Sequence, residues 1–253
     1  MRENQLKKKL DNGDVVVGSF VYVPSSKLTE IVGLAGFDFV VIDMEHGPVD
    51  TAVAEDMVRA AEIANTTPII RVTHNDPSAI LRSLDIGAQA IHVPNVHTRS
   101  DAINAVANSK YGPVGTRGLA GVRANDYGLR QPLPQYASDA NDQTMVIAHI
   151  EHIDAVNNLD ELLSVDGIDV YYLGPQDLSN SLGIPGQGKD SRVVDLVESS
   201  IQRIAAAGRT AGCIATDPKV ARRYIDLGAR YIATHAIRHM VDQSQRFIQE
   251  ISK

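Results

Sequence analysis

One short pattern recurs along this chain: a glycine at the end of a helical stretch, one or two further residues, and then an apolar strand. The glycines of this pattern are Gly36, Gly87, Gly167 and Gly228. A glycine just past a helix end can adopt the left-handed backbone conformation that closes the last turn. A run rich in β-branched residues directly after it begins a strand. The repetition therefore predicts alternating helices and strands that form a parallel sheet.

Eight segments have the composition of buried strands, and apolar residues at helical spacing fill most of the intervals between them. The predicted strands cover residues 16–21, 37–42, 68–72, 90–93, 145–150, 169–173, 210–214 and 230–234. The predicted helices include residues 50–65, 100–109, 193–207, 219–227 and 236–252. Two Asp-Pro pairs, at 76–77 and 217–218, have the form of helix starts.

Eight strands with helices between them, in 253 residues, predict a single-domain (β/α)8 barrel spanning residues 1–253. The competing fold is a doubly wound open sheet. Such a sheet usually carries a glycine-rich phosphate loop after its first strand, and residues 21–26 do not form one. No linker rich in Pro, Ser or Gly divides the chain into two domains.

Charge and cysteine content limit the classes of partner and compartment. The net charge is -7 and no basic stripe is present, which argues against a nucleic acid or an anionic membrane as partner. The single cysteine, Cys213, excludes an internal disulfide and is interpreted as a small core residue. The first ten residues lack the apolar run of a signal peptide, and no segment approaches the ~20 apolar residues of a membrane span. A cytoplasmic location is expected.

Charged and polar side chains follow the predicted strands, at the ends where a (β/α)8 barrel places its active site. They include Asp43, Glu45, His46, Arg71, Asn95, His149, Glu151, His152, Asp177, Asp217 and His235. Each has a structural explanation by itself, such as a loop cap, an exposed ion pair or a helix N-cap. Several carboxylates on one rim repel one another, however, unless a cation or an arginine offsets their charge. Oxygen ligands with water in the remaining positions suit Mg²⁺ or Mn²⁺, whereas Zn²⁺ prefers His and Cys.

Several motifs, in this order along the chain, resemble those of the HpcH/HpaI aldolases. They are Ile-Asp-Met-Glu-His-Gly-Pro at 42–48, Ile-Arg-Val at 70–72, the segment 84–96, Gly-Thr-Arg-Gly at 115–118, Ile-Glu at 150–151, Gly-Pro-Gln-Asp-Leu-Ser at 174–179, Ala-Gly-Cys-Ile at 211–214 and Asp-Leu-Gly at 226–228. The likeness covers nearly the whole chain. Members of this family are class II, metal-dependent aldolases that form or cleave 2-oxo acids, so the resemblance implies a barrel of the pyruvate/phosphoenolpyruvate type.

The resemblance also implies roles for the matching residues. Glu151 and Asp177 would hold the divalent cation, Mg²⁺ or Mn²⁺ with Co²⁺ as an alternative, and pyruvate or its enolate would chelate it. Arg71 would stabilise the enolate at the 2-oxo oxygen. His46, oriented by Asp85, would act as the acid and base through a metal-bound water.

The substrate carboxylate would bind backbone N–H groups of Gln176, Asp177 and Leu178. Asp43 and Glu45 are expected to hold the substrate- and metal-binding side chains in place without contacting the substrate themselves.

Two departures from the family's pattern affect these expectations. His149 replaces a Gln of many relatives, two residues before Glu151, and is expected to support that carboxylate or to bind the cation. Residues 234–237 replace a Gly-Ser-Asp-like turn, which puts the choice of substrate in doubt more than the enolate chemistry.

We therefore expect an aldolase that cleaves or forms a C–C bond of a 4-hydroxy-2-oxo acid, giving pyruvate and an aldehyde through a metal-bound enolate. The alternatives are a lyase acting on a CoA thioester, like the citrate-lyase β subunits, a synthase that uses the same enolate, and a non-catalytic protein that binds 2-oxo acids. The intact set of Arg71, Glu151 and Asp177 argues against the last of these.

The C-terminal helix predicts an assembly. Its apolar and small side chains form a wide face, made of Ile237, Val241, Ser244, Ile248 and Ser252 with Met240, Phe247 and Ile251 beside them. Packing on its own barrel would also use such a face. Relatives exchange this helix between subunits, so the resemblance implies a homo-hexamer built as a trimer of dimers, with helix 236–252 on a neighbouring subunit.

Overall fold

The computed structural model describes residues 1–252 and contains a closed barrel of eight parallel strands. The strands are β1 Val16–Val21, β2 Phe39–Asp43, β3 Thr67–Arg71, β4 Ala90–Val93, β5 Met145–Ile150, β6 Val170–Leu173, β7 Ala211–Ile214 and β8 Ala229–His235. Each strand pairs with the next in the sequence, and β8 closes the barrel against β1. The predicted (β/α)8 barrel is confirmed.

Helices connect the strands and surround the barrel. They are α1 Gln5–Asp11, α2 Ser26–Leu34, α3 Thr51–Ile63, α4 Pro77–Asp85, α5 Arg99–Ser109, α6 Leu133–Gln143, α7 Ile153–Asn157, α8 Leu159–Leu163, α9 Pro175–Ser181, α10 Ser191–Ala206, α11 Pro218–Asp226 and α12 Ala236–Ile251. A 3-10 helix, Arg123–Gly128, precedes α6. The predicted strands and helices have ends within two residues of the observed ones.

The glycines of the recurring pattern have the backbone conformation that the sequence predicts. Their φ angles are 98° at Gly36, 105° at Gly87, 91° at Gly167 and 114° at Gly228. These values lie in the region that a residue with a Cβ rarely adopts, so glycine allows each helix to end and the next strand to begin within a few residues.

Both Asp-Pro pairs begin a helix, as predicted. The Asp76 carboxylate accepts hydrogen bonds from the N–H groups of Ser78 and Ala79 at the start of α4. The Asp217 carboxylate accepts one from the N–H of Lys219 at the start of α11. In both helices the proline occupies the first turn, where its missing N–H has no helical partner to lose.

Alternate strand residues face the barrel interior and fill it. The interior cluster includes Phe20, Phe39, Val41, Ile69, Ala90, Met145, Ile147, Val170, Tyr172 and Tyr231. Leu6 of α1 is 1% exposed and belongs to the same cluster, which it joins from the amino ends of the strands. The residues between the interior ones, such as Val40, Ile42 and Ile70, pack against the helices. Because of this alternation, Asp43 at the end of β2 and Arg71 at the end of β3 also face the barrel interior, and the two residues are register partners.

Two features outside the barrel interior complete the description. Cys213 is buried in β7, and burial raises the pKa of its thiol, as expected for a core residue. Within residues 1–252, no helix has the length and apolar character needed to cross a membrane.

Helix α12 has no buried residue, and four of its apolar side chains are mostly exposed. Met240 is 60% exposed, Phe247 66%, Ile248 58% and Ile251 69%. The N–H of Ala236 donates to Ser19 Oγ at 2.8 Å and ties the first turn to β1.

Candidate active site

A cavity of about 430 Å³ opens at the carboxyl ends of the strands. Seven of the residues to which the family resemblance assigned a role line it: Asp43, His46, Arg71, His149, Glu151, Gln176 and Asp177. The barrel therefore brings together side chains from β2, β3 and β5 and from the start of α9, which lie up to 134 residues apart in the sequence.

Arg71 enters the cavity as a fixed, paired cation. Its Nε donates to Asp43 Oδ1 at 2.9 Å and its Nη2 to Asp43 Oδ2 at 2.5 Å, so the pair is bidentate. Its Nη1 lies 3.1 Å from Glu45 Oε2, and its guanidinium lies 5.0 Å from the centre of the Phe20 ring. Arg71 is 9% exposed and Asp43 is 2% exposed. A nearly buried guanidinium held by Asp43, Glu45 and Phe20 is a preorganised positive charge.

Asp43 also orders the loop that follows β2. Its Oδ1 accepts hydrogen bonds from the N–H groups of Glu45 at 3.1 Å and His46 at 3.2 Å. Burial raises the pKa of Asp43, but the hydrogen bonds and charge of Arg71 and these two N–H groups outweigh burial and lower it. The Asp43 carboxylate, at the end of β2, therefore supports Arg71 and the loop that carries His46.

His46 lies at the mouth of the cavity, with its side chain 63% exposed, and its Nε2 is 3.9 Å from Glu45 Oε2. An exposed imidazole beside a cavity can exchange protons with solvent, which suits general acid–base chemistry.

Glu151 is 7% exposed, and both of its carboxylate oxygens have a protein donor. Oε1 accepts from the Asn95 N–H at 2.9 Å, and Oε2 is 2.8 Å from His149 Nδ1. Burial raises the pKa of Glu151, but His149, the Asn95 N–H and Arg71 outweigh burial and lower it to about 2. The carboxylate is charged at neutral pH.

Glu151 and Asp177 meet beside Gly174, and this arrangement fits a divalent cation. A Cβ built on Gly174 would lie 3.3 Å from Glu151 Oε2 and 3.8 Å from Asp177 Oδ2, so the glycine leaves open the space between them. The pKa of Asp177 is raised, first by the loss of hydration around its carboxyl and then by the negative charge of Glu151. A bound cation would offset this repulsion.

Within residues 1–252, no group of three or more His, Cys, Asp or Glu side chains is arranged to hold a metal ion. The chain itself would supply two oxygen ligands, and substrate and water would supply the others. That division suits Mg²⁺, which usually binds through one or two carboxylates and keeps several water molecules.

Behind Glu151 lies a row of buried polar groups, of which the sequence predicted only His149. His149 Nε2 is 2.7 Å from His92 Nδ1, and His92 Nε2 is 2.7 Å from the Tyr231 hydroxyl. With both ring nitrogens engaged, His149 supports Glu151 and has no nitrogen left for a cation. A histidine in the middle of the apolar strand β4 was the signal, since a buried polar group needs a partner.

The rest of the cavity lining is mainly aromatic and apolar, and the sequence did not predict it as a unit. It is formed by Phe20, Tyr22, Tyr172, Ile214 and His235. The His235 ring lies 5.6 Å from that of Phe20 and 6.2 Å from that of Tyr22, and its Nδ1 is buried without a hydrogen-bond partner in the described chain. Burial and then the charge of Arg71 lower the pKa of His235.

Two of the predicted site residues lie elsewhere. Asp85 ends α4 and accepts a hydrogen bond from Arg117 Nη2 at 2.8 Å, and within residues 1–252 no hydrogen bond joins it to His46. The Leu178 N–H donates to the Gly174 carbonyl at 3.0 Å inside α9, and its side chain is buried. Leu178 is therefore engaged in the helix, whereas Gln176 and Asp177 occupy the first turn, where N–H groups have no helical acceptor.

Comparison with known proteins places the chain. Hydroxypyruvate/pyruvate aldolase of Roseobacter denitrificans is 37% identical over 230 residues, which are 91% of this chain and 90% of the relative. 4-Hydroxy-2-oxo-heptane-1,7-dioate aldolase of Salmonella dublin is 35% identical over 231 residues, 91% of this chain and 88% of the relative. The crystal structure of a citrate synthase, SbnG, superimposes with a TM-score of 0.86 at 32% identity and covers 98% of this chain and 99% of that one.

The profile of one family matches residues 17–237, which contain every residue of the cavity described above. The two aldolases support an aldolase function for this chain. The chain belongs to the HpcH/HpaI aldolase/citrate lyase family.

Proposed function

We propose that this protein is a class II aldolase that cleaves a 4-hydroxy-2-oxo acid to pyruvate and an aldehyde, or runs the reaction in the direction of synthesis. The observation that supports this most strongly is the meeting of a fixed guanidinium, Arg71, with two carboxylates, Glu151 and Asp177, in one cavity. The relatives from Salmonella and Roseobacter, an aldolase of a 4-hydroxy-2-oxo diacid and an aldolase of hydroxypyruvate and pyruvate, support the same substrate class.

Glu151 and Asp177 would hold the cation, with Mg²⁺ or Mn²⁺ as the proposed ion and Co²⁺ as an alternative. When bound, such an ion supplies positive charge next to the 2-oxo oxygen of the substrate. Gly174 keeps this space free of side-chain atoms, and Asn95 and His149 keep the Glu151 carboxylate from turning away.

Cleavage removes the proton of the C4 hydroxyl, breaks the C3–C4 bond and moves that electron pair toward the 2-oxo oxygen. Arg71 is proposed to donate to this oxygen from its remaining N–H groups as the negative charge develops. The later step adds a proton to C3. His46, at the mouth of the cavity, is proposed to move protons between the reacting atoms and solvent.

The remaining wall fits the rest of the substrate. The N–H groups of Gln176 and Asp177, in the first turn of α9, are proposed to bind the substrate carboxylate. The aldehyde part would lie against Phe20, Tyr22 and His235.

The protein is further proposed to act in the cytoplasm as a homo-hexamer, a trimer of dimers, in which α12 packs on a neighbouring subunit. The exposed apolar face of α12 supports a second copy of the chain as its partner. A single aldolase domain of residues 1–253 fits this arrangement.

The test is the half-reaction that every such aldolase shares, labilisation of the methyl protons of pyruvate. In D₂O with Mg²⁺ or Mn²⁺, the protein should exchange deuterium into C3 of pyruvate, and proton NMR measures the loss of the methyl signal. Chelation of the metal should abolish exchange. Glu151→Gln, Asp177→Asn and Arg71→Ala should each slow exchange at least about 100-fold, the scale of a lost preorganised charge.

A matched control is Asp166→Asn, which removes a carboxylate whose side chain is 97% exposed and pairs with Arg209 at the surface. It should exchange deuterium like the unmodified protein. Exchange that survives chelation, or a normal rate in Arg71→Ala, would contradict the mechanism. Exchange without cleavage of any 4-hydroxy-2-oxo acid would favour a synthase, and no exchange at all would favour a CoA-thioester lyase or a binding protein.

A further inference from the structure

The polar row behind Glu151 is buried along its whole length. Tyr231 and His92 are 0% exposed and His149 is 1% exposed, and they come from β8, β4 and β5. All three side chains point into the barrel, where their neighbours are apolar and aromatic. A buried polar group without a partner is costly, so each of these groups depends on the next one in the row.

The donors and acceptors of these groups determine the direction in which the hydrogen bonds run along the row. The Glu151 carboxylate only accepts, so His149 Nδ1 must carry a hydrogen toward Oε2. Within residues 1–252 the Tyr231 hydroxyl makes a hydrogen bond only with His92, so it donates to His92 Nε2. His92 then carries its hydrogen on Nδ1, which donates to His149 Nε2.

If each side chain donated in the opposite direction, one hydrogen-bond donor would have no acceptor. This arrangement would place hydrogens on both nitrogens of His149, and His92 Nε2–H would donate to the oxygen of Tyr231. The hydroxyl hydrogen of Tyr231 would then need another acceptor, and among residues 1–252 its oxygen makes a hydrogen bond only with His92. Complete burial also lowers the pKa of His92 well below its ordinary value, which keeps that ring neutral.

We propose that Tyr231, His92 and His149 form a positioning chain of one-way hydrogen bonds that fixes the Glu151 carboxylate for a divalent cation. The Asn95 N–H holds Oε1 and the chain holds Oε2, so the carboxylate cannot rotate and keeps one face toward Gly174. This inference rests on the proposed metal site at Glu151 and Asp177.

The direction of the chain is tested on metal-free protein by nitrogen NMR of the histidine rings. The protein has only eight histidines, so labelling them with ¹⁵N and detecting them by magic-angle spinning gives a simple spectrum. The signals of His92 and His149 are assigned with the variants His92→Gln and His149→Asn. We expect one hydrogen on each ring, at Nδ1 of both His92 and His149. Two hydrogens on His149, or a hydrogen on Nε2 of His92, would overturn the proposed direction.

The role of the chain is tested by the affinity for Mn²⁺ in isothermal titration. Tyr231→Phe keeps the ring that stacks on Phe39 at 4.2 Å and removes only the terminal donor. We expect about tenfold weaker binding, at the lower end of the effect of groups that orient metal ligands. The matched control is Tyr171→Phe, which removes another fully buried hydroxyl, one that donates to the Leu162 carbonyl away from the cavity. It should bind Mn²⁺ like the unmodified protein.

A conservative replacement separates positioning from packing. His149→Asn can still place an N–H near Oε2 of Glu151 and should bind Mn²⁺ within about fivefold of the unmodified protein, whereas His149→Leu should lose about 10- to 100-fold. Equal losses in Tyr231→Phe and Tyr171→Phe, or equal binding by His149→Asn and His149→Leu, would overturn the positioning role. If the unmodified protein binds no Mn²⁺, the proposed function and this role both fail, while the ring spectra still decide the direction of the hydrogen bonds.

Discussion

Replacement of Asp43 by Asn tests whether a buried carboxylate holds Arg71, the proposed catalytic arginine, in place. Asp43 Oδ1 accepts from Arg71 and from the N–H groups of Glu45 and His46, so the Asn oxygen should take this position. The Asn amide would then face Arg71 Nη2, donor against donor, where the carboxylate now accepts at 2.5 Å. Arg71 would keep only Glu45 as a charged partner, at 3.1 Å.

The size of the effect follows from the burial of the pair. Removal of one partner of a buried ion pair costs about 3–5 kcal/mol, and the remaining contact with Glu45 places Asp43→Asn near the lower end, about 3 kcal/mol. For a domain of this size that corresponds to a fall in Tm of about 6–12 °C. Displacement of Arg71 should also slow deuterium exchange into pyruvate at least about tenfold.

Urea unfolding followed by circular dichroism, calorimetry and the pyruvate exchange assay measure these effects. Asp166→Asn, at the exposed pair with Arg209, should change the free energy of unfolding by less than about 1 kcal/mol and leave exchange unchanged. A loss below about 1 kcal/mol in Asp43→Asn, together with normal exchange, would refute the idea that Asp43 positions Arg71.

Three further predictions concern pH, specificity and assembly. The folded pKa of Glu151 is about 2, below its ordinary value of 4.5, so its stabilising contribution is complete above about pH 4.5 and is lost as the pH falls toward 2. Urea unfolding across this range should show that loss, and Glu151→Gln should lack it. His235→Ala should raise KM for the aldehyde about tenfold, because it removes a polar group from the part of the cavity proposed to hold the aldehyde. It should leave the rate of deuterium exchange into pyruvate within twofold, and steady-state kinetics with the exchange assay measures both. Phe247→Asp together with Ile251→Asp should reduce the mass of the assembly in light scattering, since both side chains lie on the exposed face of α12.

The barrel could be predicted from the sequence because its signals are local. The four glycines past helix ends, the two Asp-Pro starts and the eight apolar runs each depend on a few neighbouring residues. In a barrel of consecutive parallel strands, the carboxyl ends of all strands share one rim, so Asp43, Arg71, Glu151 and Asp177 could be placed together before their distances were known.

The contacts between distant residues could not be predicted in this way. His92 is 57 residues from His149 and 139 from Tyr231, and their meeting depends on the register and tilt of three strands. Asp85 was expected beside His46. Within the chain it instead pairs with Arg117, which lies between α5 and α6 and whose position the sequence does not predict. Leu178 was expected as a donor, but the start of α9 at Pro175 places its N–H one turn into the helix.

The packing of Leu6 beneath the barrel has a kinetic consequence. Because Leu6 of α1 and the interior cluster fill the barrel at the amino ends of the strands, a ligand reaches the cavity from the carboxyl-terminal rim. If pyruvate binds beside Glu151 and the aldehyde binds nearer the mouth, as proposed, pyruvate must arrive before the aldehyde and leave after it. Product inhibition should accordingly follow an ordered pattern, with pyruvate competing against the whole 2-oxo acid and the aldehyde released first.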